Sequence, residues 1–246
     1  MAVPDYLQAA EAADVLAKGE MTLLGEMPGA SNYTFAATLT LGERRALVIY
    51  KPQAGEVPLW DFPDGTLYAR EVAAFAVCEG LGWSFVPPTV ARTGVHGLGS
   101  VQLCINAEPT EHYLSLAGGA HDEEFRRICA FDIVVNNADR KSGHVLREAG
   151  TGVIWSVDHG VCFHVEEKLR TVIWDFAGEP LSADVRTALD ALLADLRDAG
   201  RTAMRLAPLL AGEEIDAIAA RTEALLALGR FPEPPTDRRP YPWPPI

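Results

Sequence analysis

Two aspartates, Asp139 and Asp158, are the residues of this sequence best placed to do chemistry. Each follows an apolar run: F-D-I-V-V-N-N-A-D-R-K-S-G-H-V-L begins at Phe131, and V-I-W-S-V-D-H-G-V-C-F begins at Val153. Phosphoryl transfer needs such a pair, because one acid orients the attacking hydroxyl and a second holds Mg²⁺ on the phosphates. The apolar segment between them reads as a hairpin. It predicts two loop tips, with both acids on one side of a cleft.

A basic residue upstream fits the same chemistry. Tyr33, Phe35, Ala37, Leu39 and Leu41 alternate with small or polar residues, which is strand periodicity. Gly42-Glu43-Arg44 reads as a turn and Ala46–Tyr50 as a buried strand that delivers Lys51 at its end. Before it, Pro28-Gly29-Ala30-Ser31-Asn32 is a loop of small residues. The backbone N–H groups of such a loop can cradle phosphates. After it, Gln53–Thr66 is a long loop holding Trp60 and Phe62, and Leu67–Leu81 reads as a helix with Glu71 early in it. A strand lysine paired with a helix glutamate is the arrangement that positions phosphates in kinases.

The other elements are supporting structure. An N-terminal helix is expected over Tyr6–Lys18 and strands over Met21–Met27, Phe85–Val90 and Ser100–Ile105. Asn106–Pro109 reads as a linker, with mostly β structure before it and mostly helix after it. Glu123–Val135, Ser182–Leu196, Thr202–Leu210 and Glu213–Leu228 read as helices, with Ser182 as an N-cap. The predicted domains are a β-rich N-lobe over 1–106, a mainly helical C-lobe over 107–230 and a tail over 231–246. Seven prolines bar the tail from helix or sheet interior. Tyr241 and Trp243 are expected to dock it on the body of the protein or on a partner.

Composition narrows the partners. The net charge of −13 repels nucleic acid and anionic membrane surfaces, and no Lys/Arg run offsets it. No apolar segment is long enough to span a bilayer, and the first residues lack the basic and apolar regions of a signal peptide. The four cysteines lie singly in apolar stretches, as free thiols in a reducing compartment do. A cytoplasmic location is expected. The remaining histidines, including His112, have no metal-ligand or triad spacing.

Taken together, the motifs resemble the phosphatidylinositol 3-/4-kinase superfamily, in particular its type II phosphatidylinositol 4-kinase and HipA-like branches. V-I-Y-K-P ends in the lysine, G-T-L-Y-A-R-E-V-A-A-F carries the glutamate, V-Q-L-C-I resembles the hinge, and N-N-A-D-R-K-S-G-H-V-L resembles the catalytic loop N-x-D-R-x-x-x-N. The resemblance implies an α+β, two-lobed protein-kinase-like fold. It implies an ATP-dependent phosphotransferase that uses Mg²⁺ or Mn²⁺ and acts on a hydroxyl acceptor. Lys51 would hold the α/β-phosphates with Glu71 orienting it, Ser31 and Asn32 would cover them, and the backbone of Gln102, Leu103 and Cys104 would meet adenine. Asp139 would be the catalytic acid and Asp158 the metal ligand. Where the family has a metal-binding Asn, this chain has His144, so His144 or Asn137 would complete the metal site. The charge of −13 favours a protein or small-molecule acceptor over a lipid. A nucleotide-binding pseudokinase or scaffold is a second reading, and adenylyl transfer on the same fold a third.

Overall fold

The computed structural model describes Leu7, residues 9–29 and residues 32–246. Ser31 and the first residues of the expected N-terminal helix lie outside the described residues. The chain divides into two compact units: Met1–Phe75 with Pro87–Asn106, and Ala76–Val86 with Ala107–Ile246.

The first unit is built on helix α1 (Ala9–Lys18) and strands β1 (Glu20–Glu26), β2 (Phe35–Leu41) and β3 (Arg44–Pro52). Strands β4 (Thr89–Gly94) and β5 (Gly97–Leu103) complete its sheet, ordered β1-β2-β3-β5-β4 with every neighbouring pair antiparallel. The predicted alternation sets the register. Phe35 faces Tyr50 and Leu39 faces Ala46 across the β2–β3 hairpin, whose two-residue loop places Gly42 at a φ of 62°. Ala37, Leu39, Ala46, Val48, Tyr50, Val101 and Leu103 point to one face, where Ala12, Val15 and Leu16 of α1 cover them. Lys51, one residue beyond Tyr50, therefore projects from the opposite face. Beside it, Gly99 is a requirement of space. A Cβ there would sit 2.7 Å from the Pro52 Cα and hard against the Lys51 carbonyl.

Helix α2 (Leu67–Gly80) begins in this unit. The Glu56 carboxylate accepts the Leu67 and Tyr68 amide protons at 3.0 and 2.8 Å, which satisfies two of the orphan donors of the first turn. The expected strand at Phe85–Val90 is shifted: only Thr89 and Val90 lie in β4, because Pro87 and Pro88 cannot supply ladder donors.

The second unit departs from the expectation in one respect. The predicted linker at Asn106–Pro109 runs into a strand, β6 (Ala107–His112). It joins β7 (Val145–Glu148) and β8 (Ile154–Ser156) in a three-stranded sheet of order β6-β7-β8. The bulged β6–β7 register and the Glu-Pro-Thr-Glu content of β6 hid it from a periodicity search. Otherwise the unit is helical: α3 (Tyr113–Leu116), α4 (Asp122–Val135), α5 (Ala183–Arg197), α6 (Arg201–Leu206) and α7 (Gly212–Leu228). Val185, Leu189 and Leu192 of α5 and Ile218 and Leu225 of α7 are buried, at the helical spacing that predicted them. Gly229 ends α7 at a φ of 67°.

Candidate active site

In the first unit, Lys51 Nζ donates a very short hydrogen bond to Glu71 Oε1. The Glu71 side chain is 3% exposed and that of Lys51 26%, so the glutamate is a buried anchor for an ammonium that still reaches the surface. The first turn of α2, capped by Glu56, fixes Glu71. The strand pairing Lys51↔Ser100 fixes the lysine backbone. The strand-lysine to helix-glutamate pair is thus present.

The other described residues expected at the nucleotide make contacts within the unit. Asn32 Oδ1 accepts the Val57 amide proton at 2.7 Å, so this side chain ties down the 53–66 loop instead of presenting itself to a phosphate. At the hinge, the Leu103 and Cys104 amides donate to the carbonyls of Pro88 and Leu47, both at 2.9 Å. With those donors engaged in the sheet, Gln102–Cys104 offer no N–H from Leu103 or Cys104 to adenine. The Gln102 side chain is buried and donates to Thr89 Oγ1 at 2.8 Å. The first backbone amide past the sheet is that of Ile105.

In the second unit, the motif residues converge. Helix α4 ends at Asn136, which adopts the left-handed conformation at φ 53°. Asn136 Nδ2 donates to the carbonyls of His164 and Glu166, and its Oδ1 accepts from Lys168 N. Asn137 Nδ2 donates to Asp132 Oδ1 at 3.0 Å and its Oδ1 accepts the Asp139 amide proton at 3.0 Å. Asn137 is 1% exposed, so its amide shapes the loop and is spent on it. Asp139 follows, its carboxylate paired with Lys141 Nζ at 3.1 Å. Partial burial pushes the Asp139 carboxyl above the ordinary carboxylate range, the Lys141 ammonium opposes that rise, and the charge of Asp158 adds to it. The charge of Asp158 thus reaches Asp139.

Asp158 sits at φ 61°, a left-handed backbone that costs a non-glycine residue energy and that Asp tolerates better than most. Its carboxylate is 3.2 Å from His144 Nε2. The carboxylate is half exposed and supplies the oxygen a hard cation needs, whereas an imidazole suits Mn²⁺ better than Mg²⁺. No cluster of three His, Cys, Asp or Glu with metal-binding geometry occurs among the described residues. A divalent ion here would rest chiefly on Asp158 and on phosphate oxygens, with His144 adjacent.

Sequence reasoning missed the residues that hold this loop together. Asp132, fully buried in α4, receives Arg140 Nε at 3.0 Å and Arg140 Nη2 at 3.0 Å. Arg140 also donates to the Val157 carbonyl at 2.8 Å and lies 2.7 Å from His159 Nε2. It is fully buried and not available to an acceptor. The one available signal was that Asp132 is the only charge between Ile128 and Val135. Ser142 is buried as well. Its Oγ accepts the Leu114 amide proton at 3.0 Å and shares a hydrogen bond with His112 Nδ1 at 2.8 Å. The tail closes the loop from outside: Ser142 N donates to the Pro245 carbonyl at 2.9 Å, and Thr171 N to that of Pro240 at 3.0 Å.

A five-stranded antiparallel sheet carrying a Lys–Glu pair, followed by a largely helical unit carrying two loop aspartates, defines the α+β protein-kinase-like fold. The chain belongs to the family of Protein Rv2133c of Mycobacterium tuberculosis, which is 41% identical over 266 aligned positions covering 94% of both chains. No family model matches it. An alignment of 76 positions, covering 28% of this chain and 14% of the other, is 36% identical to Phosphatidylinositol 4-kinase gamma 2 of Arabidopsis thaliana. Among solved structures, the proinflammatory kinase CtkA of Helicobacter pylori aligns with a TM-score of 0.51 over 87% of this chain and 94% of its own, at 13% identity. The Golgi casein kinase with Mn/ADP bound aligns with a TM-score of 0.54 over 90% and 76%, and hydra Fam20 with a TM-score of 0.54 over 92% and 89%, both at 13% identity. At that identity the likeness is one of fold. Among the described residues, no helix is long and apolar enough to cross a membrane.

Proposed function

We propose that the protein is an ATP-dependent phosphotransferase that moves the γ-phosphoryl group to a hydroxyl acceptor. The observation that carries this is the paired set: Lys51 on Glu71 in one unit, and Asp139 within electrostatic reach of Asp158 in the other. On this reading residues 1–106 bind nucleotide, residues 107–230 carry the acids, and residues 231–246 brace the catalytic loop. Glu71 holds the Lys51 ammonium toward the α/β-phosphates. Asp139 accepts a hydrogen bond from the acceptor hydroxyl and so aims its oxygen in line. Asp158 holds the metal, with His144 steadying the carboxylate. A bound Mn²⁺ or Mg²⁺ would neutralise charge on the phosphates. The match to a phosphatidylinositol 4-kinase, together with the catalytic-loop motif, supports kinship with that superfamily. The net charge of −13 favours a protein or small metabolite as acceptor and an aqueous, reducing setting, where the four cysteines remain thiols.

The close approach of His144 Nε2 to Asp158, at 3.2 Å, also favours a second reading, a nucleotide-binding sensor without turnover, because it occupies the acid that would otherwise meet the metal. One experiment separates the two. ATP binding and hydrolysis are measured with Mg²⁺ and with Mn²⁺ for the native protein, Asp139→Asn and Asp158→Asn. Metal-dependent turnover that disappears in both variants supports the phosphotransferase. Tight nucleotide binding without turnover in any metal supports the sensor. Release of pyrophosphate instead of ADP would identify adenylyl transfer.

A further inference from the structure

The catalytic loop and the metal loop each follow their acid with a residue that is fully buried: Arg140 after Asp139, and His159 after Asp158. These two side chains meet at 2.7 Å. A guanidinium has donors only, so His159 Nε2 is the acceptor and the ring proton of a neutral His159 resides on Nδ1. Ser156 Oγ, 3.2 Å away, faces the same nitrogen. The remaining Arg140 donors go to Asp132 and to the carbonyl of Val157, the residue before Asp158. Asp132 in turn holds Asn137, whose Oδ1 receives the Asp139 amide. Arg140 thus grips the chain on both sides of Asp158 while its own backbone adjoins Asp139. A phenylalanine, the familiar residue after the metal acid in kinases, would fill the space and leave an Arg140 proton buried without an acceptor.

We propose that His159 is a positioning residue whose acceptor nitrogen lets Arg140 lock the two acidic loops in one relative geometry. The role rests on the phosphotransferase reading, since it acts through Asp158 and Asp139 on metal and acceptor. Residues that orient a metal ligand from behind typically change metal affinity by 10–100-fold.

The test compares native protein, His159→Phe and His159→Gln, the last placing an amide oxygen near the position of Nε2. Mn²⁺ binding in the presence of ADP is read by electron paramagnetic resonance, and turnover where it occurs is split into kcat and the KM for ATP. Ring-nitrogen NMR of the native protein reports which His159 nitrogen carries the proton. The expected result is a roughly 10–100-fold weaker Mn²⁺ affinity in His159→Phe, with kcat lowered by a similar factor and nucleotide affinity within about twofold of native. His159→Gln should recover most of the loss, and the native ring should be protonated on Nδ1 alone. Native-like Mn²⁺ binding by His159→Phe, or equal losses in the Phe and Gln variants, would overturn the proposal. So would a native ring protonated on Nε2. A native protein that binds neither Mn²⁺ nor ADP would instead defeat the phosphotransferase reading. The NMR result would then still decide whether Arg140 is held by His159.

Discussion

Asp139 is the residue whose environment has the clearest consequence. Its carboxyl is raised by burial and by Asp158, and held down by Lys141. On the phosphotransferase reading the acceptor hydroxyl needs the carboxylate, so the rate falls as pH drops through this raised value. The acid limb of a kcat–pH profile should therefore lie above the ~4 of an ordinary aspartate. Lys141→Met removes the opposing charge and should move that limb to still higher pH. The same shift has a stability counterpart. A carboxyl whose folded pKa exceeds its unfolded one binds its proton more tightly in the folded state. Its ionisation therefore costs stability at neutral pH; the cost begins to fall as pH drops through the folded value and is gone below the unfolded one. Asp139→Asn should raise the melting temperature at pH 7 by about 1–4 °C, with a gap that narrows on acidification. An unchanged melting temperature at both pH values would mean that the carboxylate is not strained. At this scale the sequence revealed the acids and the lysine through residue type and spacing. It could not reveal Arg140 as a buried clamp, because the sequence does not show that its Asp132 partner points inward.

Elements deliver these residues, and the delivery depends on caps and close approaches. Glu56 stands eleven residues before Leu67 and still caps α2, so it acts as a remote N-terminal cap for the helix that carries Glu71. Glu56→Ala should cost about 0.5–2 kcal/mol of stability by denaturant titration. It should also weaken ATP binding through a frayed Glu71, while Asp139→Asn leaves that affinity near native. Strands β2 and β3 and helices α4, α5 and α7 were legible because their apolar periodicity matches their burial. Strand β6 was not: its residues are polar or small, its register is bulged, and its pairing partner lies beyond α4. The hydrogen bonding of the hinge segment was hidden for a related reason. V-Q-L-C-I has the apolar content of a strand, but sequence does not say which amides the neighbouring strands take. The ladder uses those of Leu103 and Cys104.

At the scale of the molecule, charge and the tail matter most. With a net charge of −13, the protein should stay in the supernatant when phosphatidylserine-rich vesicles are pelleted at physiological salt. Co-sedimentation would favour a lipid acceptor over the soluble one proposed here. The proline-rich segment is docked along the second unit. Pro242 and Phe231 are buried, Arg238 pairs with Glu167, and Trp174 Nε1 joins Thr171 in donating to the Pro240 carbonyl. Removing residues 240–246 should speed amide exchange at Ser142 and Thr171 by tenfold or more in hydrogen–deuterium exchange, because both lose their acceptors. Protection in β2 and β3 should not change. Slow exchange at both amides after truncation would show that the tail is not what holds them.

The bond between Ser142 and Pro245 also sets an order of events during synthesis. The loop holding Asp139 leaves the ribosome about a hundred residues ahead of Pro245, an interval of roughly 5–20 s at ordinary elongation rates. Throughout that interval the Ser142 amide lacks its acceptor, so the nascent chain can fold its five-stranded sheet before its acidic loop is complete. On the phosphotransferase reading, a nascent chain that has not yet reached Pro245 would bind ATP before it could transfer phosphate.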